Sequence, residues 1–360
     1  MNRRFLIASG GTGGHFYPGF VIGQQLRRQG CNVLFIVRRN DPAAQVLENN
    51  HLHYREIDFS GLPRSLNPLR HLRFAGRLCK SLLQTRQIVR QFRPDVALGT
   101  GGYISFPLIF TAHFMGVKTA VHDSNTRLGL ANRVCGWFAD LFMLGLPTEK
   151  PLKKAVLTST PIRREFTEPV DRKALLENLN LNASLPTALV VGGSQGAHNL
   201  NQAVVQTARQ TPQWQFIHIT GERWYNALRE SYRDVTNVAV LPYSHEIYAL
   251  MKAVDLIVCR SGASTLAEVI YCHLPAILVP FAHAAANHQY YNAKILQEAG
   301  CARLICDDKN LTQQLCATFK ELSGTAGNDL LRNLRQSYQT LAIPNPMGAT
   351  KHIIQLLCKL

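Results

Sequence analysis

Two glycine-rich turns, each directly after a short apolar run, constrain the fold of this chain more than any other feature. The first turn, residues 10–14, follows Phe5–Ala8, and the second, residues 192–196, follows Thr187–Val191. Apolar runs of this length are typical of buried parallel strands. A glycine turn that leads from such a strand into a helix presents free N–H groups, which attract anions. The sequence therefore predicts two anion sites in two separate parts of the chain.

The apolar runs alternate with helix-length amphipathic segments along the whole chain, which is the pattern of βαβ units. We therefore predict the α/β fold class, with two similar parallel sheets in succession. The predicted strands lie at residues 5–9, 32–37, 54–58, 95–99, 118–121, 141–144, 187–191, 215–220, 238–241, 256–259, 276–279 and 302–305. The main predicted helices of the first half span residues 17–29 and 66–91.

The length of 360 residues exceeds that of a usual single core and favours two domains. We predict an N-terminal domain over residues 1–160 and a C-terminal domain over residues 161–344. A proline-containing stretch at 158–185 fits the connection between them. The tail, residues 345–360, is expected to form a helix that packs back on the first domain.

Composition and cysteine spacing exclude several classes of protein. The chain is 46% hydrophobic and 17% charged, and it has no apolar stretch of the roughly 20 residues that a spanning helix needs. Its N-terminus lacks the pattern of a secretory signal, so we expect a cytosolic location. Its nine cysteines form no C-x-x-C pair, which argues against a disulfide framework and a zinc site. No essential metal and no cofactor are predicted.

The formal charge of +16 is concentrated in the first half of the chain. Residues 1–158 contain 21 Lys/Arg and 8 Asp/Glu, whereas residues 159–360 contain 18 and 15. Within the first half, residues 62–93 contain eight basic side chains, no acidic one and many interleaved leucines. Such a basic amphipathic segment is typical of surfaces that bind anionic membranes or nucleic acid, although an ordinary solvated helix face has the same pattern.

The first glycine turn matches neither common nucleotide motif. A dinucleotide fingerprint would require a third glycine at Phe16, and a P-loop would require Gly-Lys followed by Ser or Thr. The turn instead leads to His15, whose imidazole could accept a proton at neutral pH as a general base. The competing interpretation of His15 is a capping or packing histidine.

Three further segments carry polar groups at predicted strand ends. Residues 99–103 form a third glycine turn, which indicates either a tight corner or ligand contact. In residues 259–268, Ser264 or Thr265 could cap a helix, and Thr265 with Glu268 matches a capping box; alternatively, Glu268 accepts hydrogen bonds from a ribose diol. Residues 287–292 could bind sugar hydroxyls or simply begin a polar helix.

Five motifs in this order, over essentially the whole chain, resemble the MurG family. They are Gly10-Gly-Thr-Gly-Gly-His15 with Pro18-Gly19, Gly99-Thr-Gly-Gly-Tyr103, His122-Asp-Ser-Asn125, Gly192-Gly-Ser-Gln-Gly-Ala197 with Leu200-Asn-Gln202, and Arg260-Ser-Gly-Ala263 to Glu268. The resemblance implies the GT-B fold, two Rossmann-like domains facing across a cleft. It also implies transfer of N-acetylglucosamine (GlcNAc) from UDP-GlcNAc to the C4 hydroxyl of MurNAc in lipid I, which forms the β-1,4 link of lipid II in peptidoglycan synthesis.

The resemblance also implies roles for individual residues. His15 matches the proposed base, Thr12, Gly13 and Gly14 would lie at the reacting sugars, and Asn125 and Gln289 would contact GlcNAc. Arg163 and Ser194 would meet the diphosphate, and Glu268 would hold the ribose. Further residues would complete the UDP-GlcNAc site near the uracil and the helix start: Ser244, Arg260, Ala263, Ser264, Thr265, Leu266 and Ala267.

The resemblance gives the basic segment a partner, the anionic cytoplasmic face of the bacterial inner membrane, where lipid I lies. The expected membrane surface includes Arg70, Arg73, Arg77 and Lys80, the enzyme would be peripheral, and no nucleic acid partner is expected. The chain departs from the family where His-Glu-Gln-Asn is usual, at residues 122–125, where an aliphatic residue is usual, at Ser244, and where Leu is usual, at Ser264. The change at 122–125 leaves open a related transferase with a diacylglycerol or other hydrophobic acceptor. A catalytically silent nucleotide-sugar or nucleic-acid binder is a further alternative.

Overall fold

The computed structural model describes residues 3–11, 13–59, 61–63, 67–149, 152, 155–193 and 196–360. The strands are β1 (Arg4–Ala8), β2 (Asn32–Arg38), β3 (Tyr54–Ile57), β4 (Val96–Gly99), β5 (Lys118–Asp123), β6 (Leu141–Leu144), β7 (Ala155–Leu157), β8 (Thr187–Val191), β9 (Gln215–Ile219), β10 (Val238–Leu241), β11 (Leu256–Cys259), β12 (Ala276–Leu278) and β13 (Ala302–Leu304).

The helices alternate with these strands, as the βαβ pattern predicts. They are α1 (Gly13–Arg28), α2 (Ala43–Asn49), α3 (Pro68–Phe92), α4 (Ser105–Phe114), α5 (Leu130–Cys135), α6 (Arg172–Asn178), α7 (His198–Gln210), α8 (Glu222–Ser231), α9 (Ile247–Ala253), α10 (Ala263–Cys272), α11 (His288–Glu298), α12 (Leu311–Glu321), α13 (Gly324–Ser337) and α14 (Pro346–Cys358). None of the helices in the described part of the chain is both long and apolar enough to cross a membrane.

The chain divides into two compact units, Met1–Arg163 with Ile343–Leu360, and Arg164–Ala342. The first break falls three residues after the predicted boundary at 160. The second falls two residues before the predicted end of the C-terminal domain. In the first unit, Ile353 and Leu357 of α14 are fully buried in a core that also contains Phe20 and Leu26 of α1.

The first unit contains a parallel sheet in the order β3-β2-β1-β4-β5-β6-β7. Its strands consist largely of buried apolar side chains because helices cover both faces. The second unit repeats this order in its own parallel sheet, β10-β9-β8-β11-β12-β13. This is the doubly wound arrangement. The second and third strands lie on one side of the first strand, and the fourth and later strands lie on its other side.

Two expectations about local structure were wrong. Helix α1 begins at Gly13 rather than Tyr17, so His15 lies in its first turn. Strand β7 was not predicted, because three half-buried residues at a sheet edge give too short a pattern.

Candidate active site

In the first unit, the glycine turns meet at the point where the strand order reverses. Strands β1 and β4 are neighbours, with Ala8 opposite Gly99, so residues 10–11 and 100–102 leave the same edge of the sheet side by side. Ligands of doubly wound sheets bind at this place, beyond the carboxyl ends of the strands. The fold therefore brings together two motifs that lie about 90 residues apart in the sequence.

The first turn is held by a carboxylate that no sequence pattern singled out. Gly11 adopts φ +89° and donates its N–H to Asp41 Oδ2 at 2.8 Å. The other oxygen of Asp41 accepts the N–H of Ala43 at 3.1 Å, at the start of α2, and the Asp41 residue is only 4% exposed. Asp41 thereby joins the glycine turn to the segment that follows β2. The predicted site residue Thr12 lies outside the described residues.

His15 is positioned by hydroxyl groups from both neighbouring strand ends. Its carbonyl oxygen accepts hydrogen bonds from Ser9 Oγ at 3.2 Å and from Thr100 Oγ1 at 2.9 Å. Gly19, one helical turn later, approaches the same two hydroxyls so closely that a Cβ there would lie 2.5 Å from Ser9 Oγ. The start of α1, including the predicted residues Gly13 and Gly14, is thus fixed against the sheet.

The imidazole of His15 lies directly on Gly101. A Cβ built on Gly101 would overlap His15 Nδ1 and lie 3.0 Å from Cε1. Gly101 also has φ +109°, a conformation that favours glycine. The third glycine turn, for which the sequence left a tight corner and ligand contact equally open, therefore contacts the candidate base.

Arg163 lies beside the same helix start. Its guanidinium carbon is 5.8 Å from the centre of the Tyr17 ring, a cation–π distance. The Tyr17 ring in turn lies 3.5 Å from a Cβ built on Gly13. The first unit therefore brings Arg163, Gly13 and His15 into one region.

The segment His122–Asn125 forms a buried polar cluster at the carboxyl end of β5. His122 is fully buried and shares a hydrogen bond of 3.1 Å between Nε2 and the carbonyl of Ser159. Burial lowers its pKa from the ordinary 6.5, against the opposing field of Asp123. His122 is therefore neutral at physiological pH, whereas Asn125 is half-exposed at the surface of the cluster.

In the second unit, the corresponding place is the carboxyl edge of β8 and β11. Val191 pairs with Cys259, so Gly192 and Gly193 leave the sheet next to the segment that follows β11. Gly193 has φ +89° and Gly196 has φ +70°. A Cβ on Gly196 would overlap the carbonyl of Thr220 and lie 2.7 Å from Trp224 Cδ1, so the loop permits no side chain there. The predicted diphosphate contact Ser194 lies outside the described residues.

The capping-box interpretation of Thr265 and Glu268 is wrong. Helix α10 begins at Ala263 with Gly262 at the N-cap position, so Ser264 and Thr265 lie inside the first turn rather than at the N-cap. Leu266 and Ala267 are buried, which leaves their backbone as the part that could meet a ligand. Glu268 is half-exposed. Burial raises the pKa of the Cys259 thiol to about 12, and the charge of Glu268 adds to this effect.

Arg260 is held by protein groups. Its guanidinium forms an ion pair with Asp307 at 2.7 Å and donates to the carbonyls of Val279 and Pro280. Asp307 also accepts a hydrogen bond of 3.0 Å from Asn199 in the first turn of α7. Asp307, which sequence reasoning missed, therefore links the turn after β11 to the helix that follows the second glycine turn.

Gln289 and Ser244 lie at two other strand ends of the same unit. The side chain of Gln289 accepts the N–H of Phe281 at 2.9 Å, and its carbonyl accepts Ser261 Oγ at 2.8 Å. These bonds join the first turn of α11 to the loops after β12 and β11. Ser244 follows β10 and accepts the N–H of Glu246 at 3.2 Å, which makes a local turn.

Helix α3 presents its N-terminal half to solvent. Arg70, Arg73, Arg77 and Lys80 are exposed, and so are Leu69, Leu72 and Leu83, which are 63%, 71% and 66% exposed. Among the described contacts of these cations is an ion pair of 3.5 Å between Lys80 and Asp58. The same unit also exposes Phe114 and Trp137, the latter to 81%. The surface therefore combines positive charge with exposed apolar side chains.

The comparisons with known proteins agree with this architecture. The Glycosyltransferase family 28 N-terminal domain matches residues 5–143, and the Glycosyltransferase family 28 C-terminal domain matches residues 187–337. A relative from Elusimicrobium minutum is 46% identical over 98% of both chains, and one from Desulforudis audaxviator is 34% identical over 98% of both. Both are named UDP-N-acetylglucosamine--N-acetylmuramyl-(pentapeptide) pyrophosphoryl-undecaprenol N-acetylglucosamine transferase.

The chain belongs to the MurG family. The crystal structure of Acinetobacter baumannii MurG is similar to it with a TM-score of 0.81, at 24% identity and over 99% of this chain and 100% of the other. A glycosyltransferase of kitacinnamycin follows with a TM-score of 0.72 at 16% identity, over 99% and 100%. The predicted family, the GT-B fold class and the assignment as a glycosyltransferase are thus confirmed.

Within the described residues, no group of three or more His, Cys, Asp or Glu side chains is arranged as metal ligands would be. That no metal is essential stays a prediction. The roles of the individual site residues likewise stay predictions. The site residues that the structure describes lie in two regions, one in each unit.

Proposed function

We propose that this MurG-family enzyme transfers GlcNAc from UDP-GlcNAc to the C4 hydroxyl of the lipid-linked MurNAc-pentapeptide of lipid I. One observation carries the proposal. In each unit, motifs of the family lie at the carboxyl edge of the sheet, at the point where the strand order reverses. The names of the two relatives described above specify this donor and this acceptor.

The donor site is proposed to lie at the carboxyl edge of β8 and β11. The first turns of α7 and α10 carry N–H groups without partners inside their helices, and the positive ends of both helix dipoles favour a diphosphate. Ser194 and Arg163 would add hydrogen bonds to it. Glu268 would accept hydrogen bonds from the ribose hydroxyls.

The uracil and GlcNAc contacts complete this donor site. The backbone near Ser244, Arg260 and Ala263 would line the uracil. Since the guanidinium of Arg260 is already bound to Asp307 and two carbonyls, we propose that it fixes the loop. Gln289 and Asn125 would contact the GlcNAc.

The proposed reaction is a single inverting displacement. The C4 oxygen of MurNAc forms a bond to C1 of GlcNAc as the bond from C1 to the diphosphate oxygen breaks, and UDP leaves with the electron pair. His15 accepts the hydroxyl proton and later releases it to solvent. General-base assistance of this kind typically contributes about 10² to 10⁴ in rate, and one oriented donor on the leaving group contributes roughly 3 kcal/mol.

The exposed face of α3 is proposed to hold the enzyme peripherally on the cytoplasmic face of the bacterial inner membrane. Each Lys or Arg near an anionic leaflet contributes about 1 kcal/mol. Leu69, one helical turn before Arg73, and Leu72, directly before it, would enter the headgroup region as the apolar side of an interfacial helix.

The decisive experiment measures UDP release with two acceptors, a lipid I analogue and diacylglycerol. We expect turnover with the lipid I analogue and none above background with diacylglycerol. Turnover with diacylglycerol alone would refute the proposed acceptor while leaving the proposed donor intact.

A further inference from the structure

Asp123, the last residue of β5, is a buried carboxylate that accepts four hydrogen bonds. One oxygen, Oδ1, accepts the backbone N–H of Asn125 at 2.9 Å and the side-chain Nδ2 of Asn125 at 3.3 Å. The other, Oδ2, accepts the N–H of Gly129 at 3.2 Å and Nδ2 of Asn132 at 2.9 Å. Asp123 is 1% exposed, and Asn132, in α5, is 2% exposed.

These bonds decide which way the amide of Asn125 faces. The oxygens of Asp123 accept hydrogen bonds, and the nearest donor of the Asn125 side chain is its Nδ2, so the nitrogen of that amide faces Asp123. The amide oxygen of Asn125 then points to the other side, where it can accept a hydrogen bond. Since Oδ2 is fixed to the start of α5, the carboxylate has a single orientation, and the side chain of Asn125 has one as well.

We propose that Asp123 is a positioning residue, which orients the amide of Asn125 for its contact with the GlcNAc of the donor. The inference rests on the proposed function, in which Asn125 makes that contact. It gives a function to one of the two positions at which this chain departs from the usual His-Glu-Gln-Asn of the family. The shorter Asp123 is turned inward onto the loop and onto α5, so its influence on the sugar passes through Asn125.

The test compares the dissociation constants of UDP-GlcNAc and of UDP, measured by calorimetry without acceptor. UDP lacks the sugar, so its affinity reports the rest of the donor site. In Asp123→Asn an amide replaces the carboxylate and offers its own N–H to Asn125, which reverses the preferred orientation of the Asn125 amide. We expect the Kd of UDP-GlcNAc to rise about three- to tenfold, the effect of one neutral hydrogen bond, and that of UDP to stay within about twofold.

The variant Asn125→Ala and the double variant separate the inference from the proposed function. We expect Asn125→Ala to raise the Kd of UDP-GlcNAc selectively, and Asp123→Asn to add nothing in that background. If Asn125→Ala leaves both affinities unchanged, the proposed contact with GlcNAc is wrong. If Asn125→Ala has its effect but Asp123→Asn has none, or the two effects add, the contact stands and the positioning role is overturned.

Two further variants exclude a purely structural role. Asp140→Asn changes another carboxylate of this sheet, which accepts the N–H and hydroxyl of Thr119, and should alter the melting temperature without altering the ratio of the two Kd values. Asn132→Ala removes one of the bonds that fix Oδ2 and should shift the ratio in the same direction as Asp123→Asn. If Asp123→Asn does not fold and Asn132→Ala leaves the ratio unchanged, Asp123 serves only the fold.

Discussion

Gly101 and His15 lie in contact at the reversal point of the first sheet, and the glycine leaves the space that the imidazole occupies. A Cβ on Gly101 would overlap His15 Nδ1, and the backbone there has φ +109°. The two residues come from different segments: His15 lies in the first turn of α1, and Gly101 lies in the turn after β4. The third glycine turn therefore determines where the candidate base can stand.

Replacing Gly101 with Ala should displace the imidazole and reduce kcat by at least about tenfold, since a misplaced base loses much of its 10²- to 10⁴-fold contribution. The affinity for UDP, measured by calorimetry, should stay near the parent value, because the proposed uracil and ribose contacts and all the proposed diphosphate contacts except Arg163 lie in the other unit. The rate is to be measured as UDP release with saturating lipid I analogue.

The matched control is Gly116→Ala. Gly116 also has a left-handed backbone, with φ +73°, but a Cβ there meets no atom within 4 Å. It should therefore cost about 1 kcal/mol of stability and leave kcat unchanged. An equal loss of kcat in both variants would show that backbone strain, rather than contact with His15, causes the effect.

Removing the imidazole itself should have a larger effect. His15→Ala is expected to lower turnover at least about a hundredfold and to leave the Kd of UDP-GlcNAc nearly unchanged, because a general base acts on the acceptor hydroxyl. The exposed His53 provides the control variant His53→Ala, which should retain full activity. Parallel losses of donor binding and of rate in His15→Ala would contradict the assignment of His15 as the base.

The strand pattern could be predicted from sequence because both sheets are parallel and buried. Runs such as Leu256–Cys259 are apolar throughout and end at turn residues, so periodicity alone locates them. The start of α1 could not be predicted in this way. Gly13 and Gly14 are weak helix formers, and the helix begins there because Ser9 and Thr100, from two strand ends, bind its first carbonyls.

The supporting residues of the site were also beyond the reach of sequence reasoning. Asp41 binds Gly11 across 30 residues, and Asp307 binds Arg260 across 47. A single acidic residue in a polar stretch gives no signal of such a contact. Motifs identified the groups proposed to meet substrate, whereas the residues that hold those groups became evident only from the fold.

Glu268 gives a prediction that separates ligand binding from helix capping. Glu268→Gln should raise the KM for UDP-GlcNAc about tenfold, because hydrogen bonds from hydroxyls to a charged acceptor contribute roughly 1.5 to 3 kcal/mol. The melting temperature should change little, since Gly262 rather than Thr265 occupies the N-cap position. Thr265→Ala is the matched test of capping, and it should not reduce the free energy of unfolding by the roughly 1 kcal/mol that a lost cap costs. An unchanged KM together with a lowered melting temperature in Glu268→Gln would refute the ribose contact.

The proposed membrane surface predicts binding that depends on charge. Changing Arg70, Arg73, Arg77 and Lys80 to Gln should weaken sedimentation with anionic vesicles by several powers of ten in affinity, at about 1 kcal/mol per residue. Binding of the parent should decrease as salt rises, because screening shortens the range of the attraction.

The control for this surface changes four exposed basic residues of the second unit, Arg223, Arg229, Arg233 and Lys173, to Gln. It removes the same formal charge from the other unit and should leave vesicle binding largely intact. Equal losses in the two variants would show that net charge, rather than the face of α3, determines binding.

Buried histidines predict that the enzyme loses stability in mild acid. Burial lowers the pKa of His218 to about 3, from 6.5, and lowers that of His122 as well. Below pH 6.5 the side chains of His122 and His218 bind a proton in the unfolded chain, whereas in the folded chain they stay neutral to lower pH. The free energy of unfolding should therefore fall by about 1.4 kcal/mol per pH unit for His218 as pH decreases from 6.5 toward 3.

Melting temperatures measured between pH 7.5 and 5 in His218→Gln and Tyr232→Phe test this origin. His218 Nδ1 lies 2.8 Å from the Tyr232 hydroxyl, and Nε2 lies 3.1 Å from Asn201 Oδ1, so both changes disturb the same buried network. Only His218→Gln removes the titrating group. It should flatten the pH dependence, while Tyr232→Phe should lower the melting temperature at every pH and keep the slope. An unaltered slope in His218→Gln would mean that other groups cause the acid sensitivity.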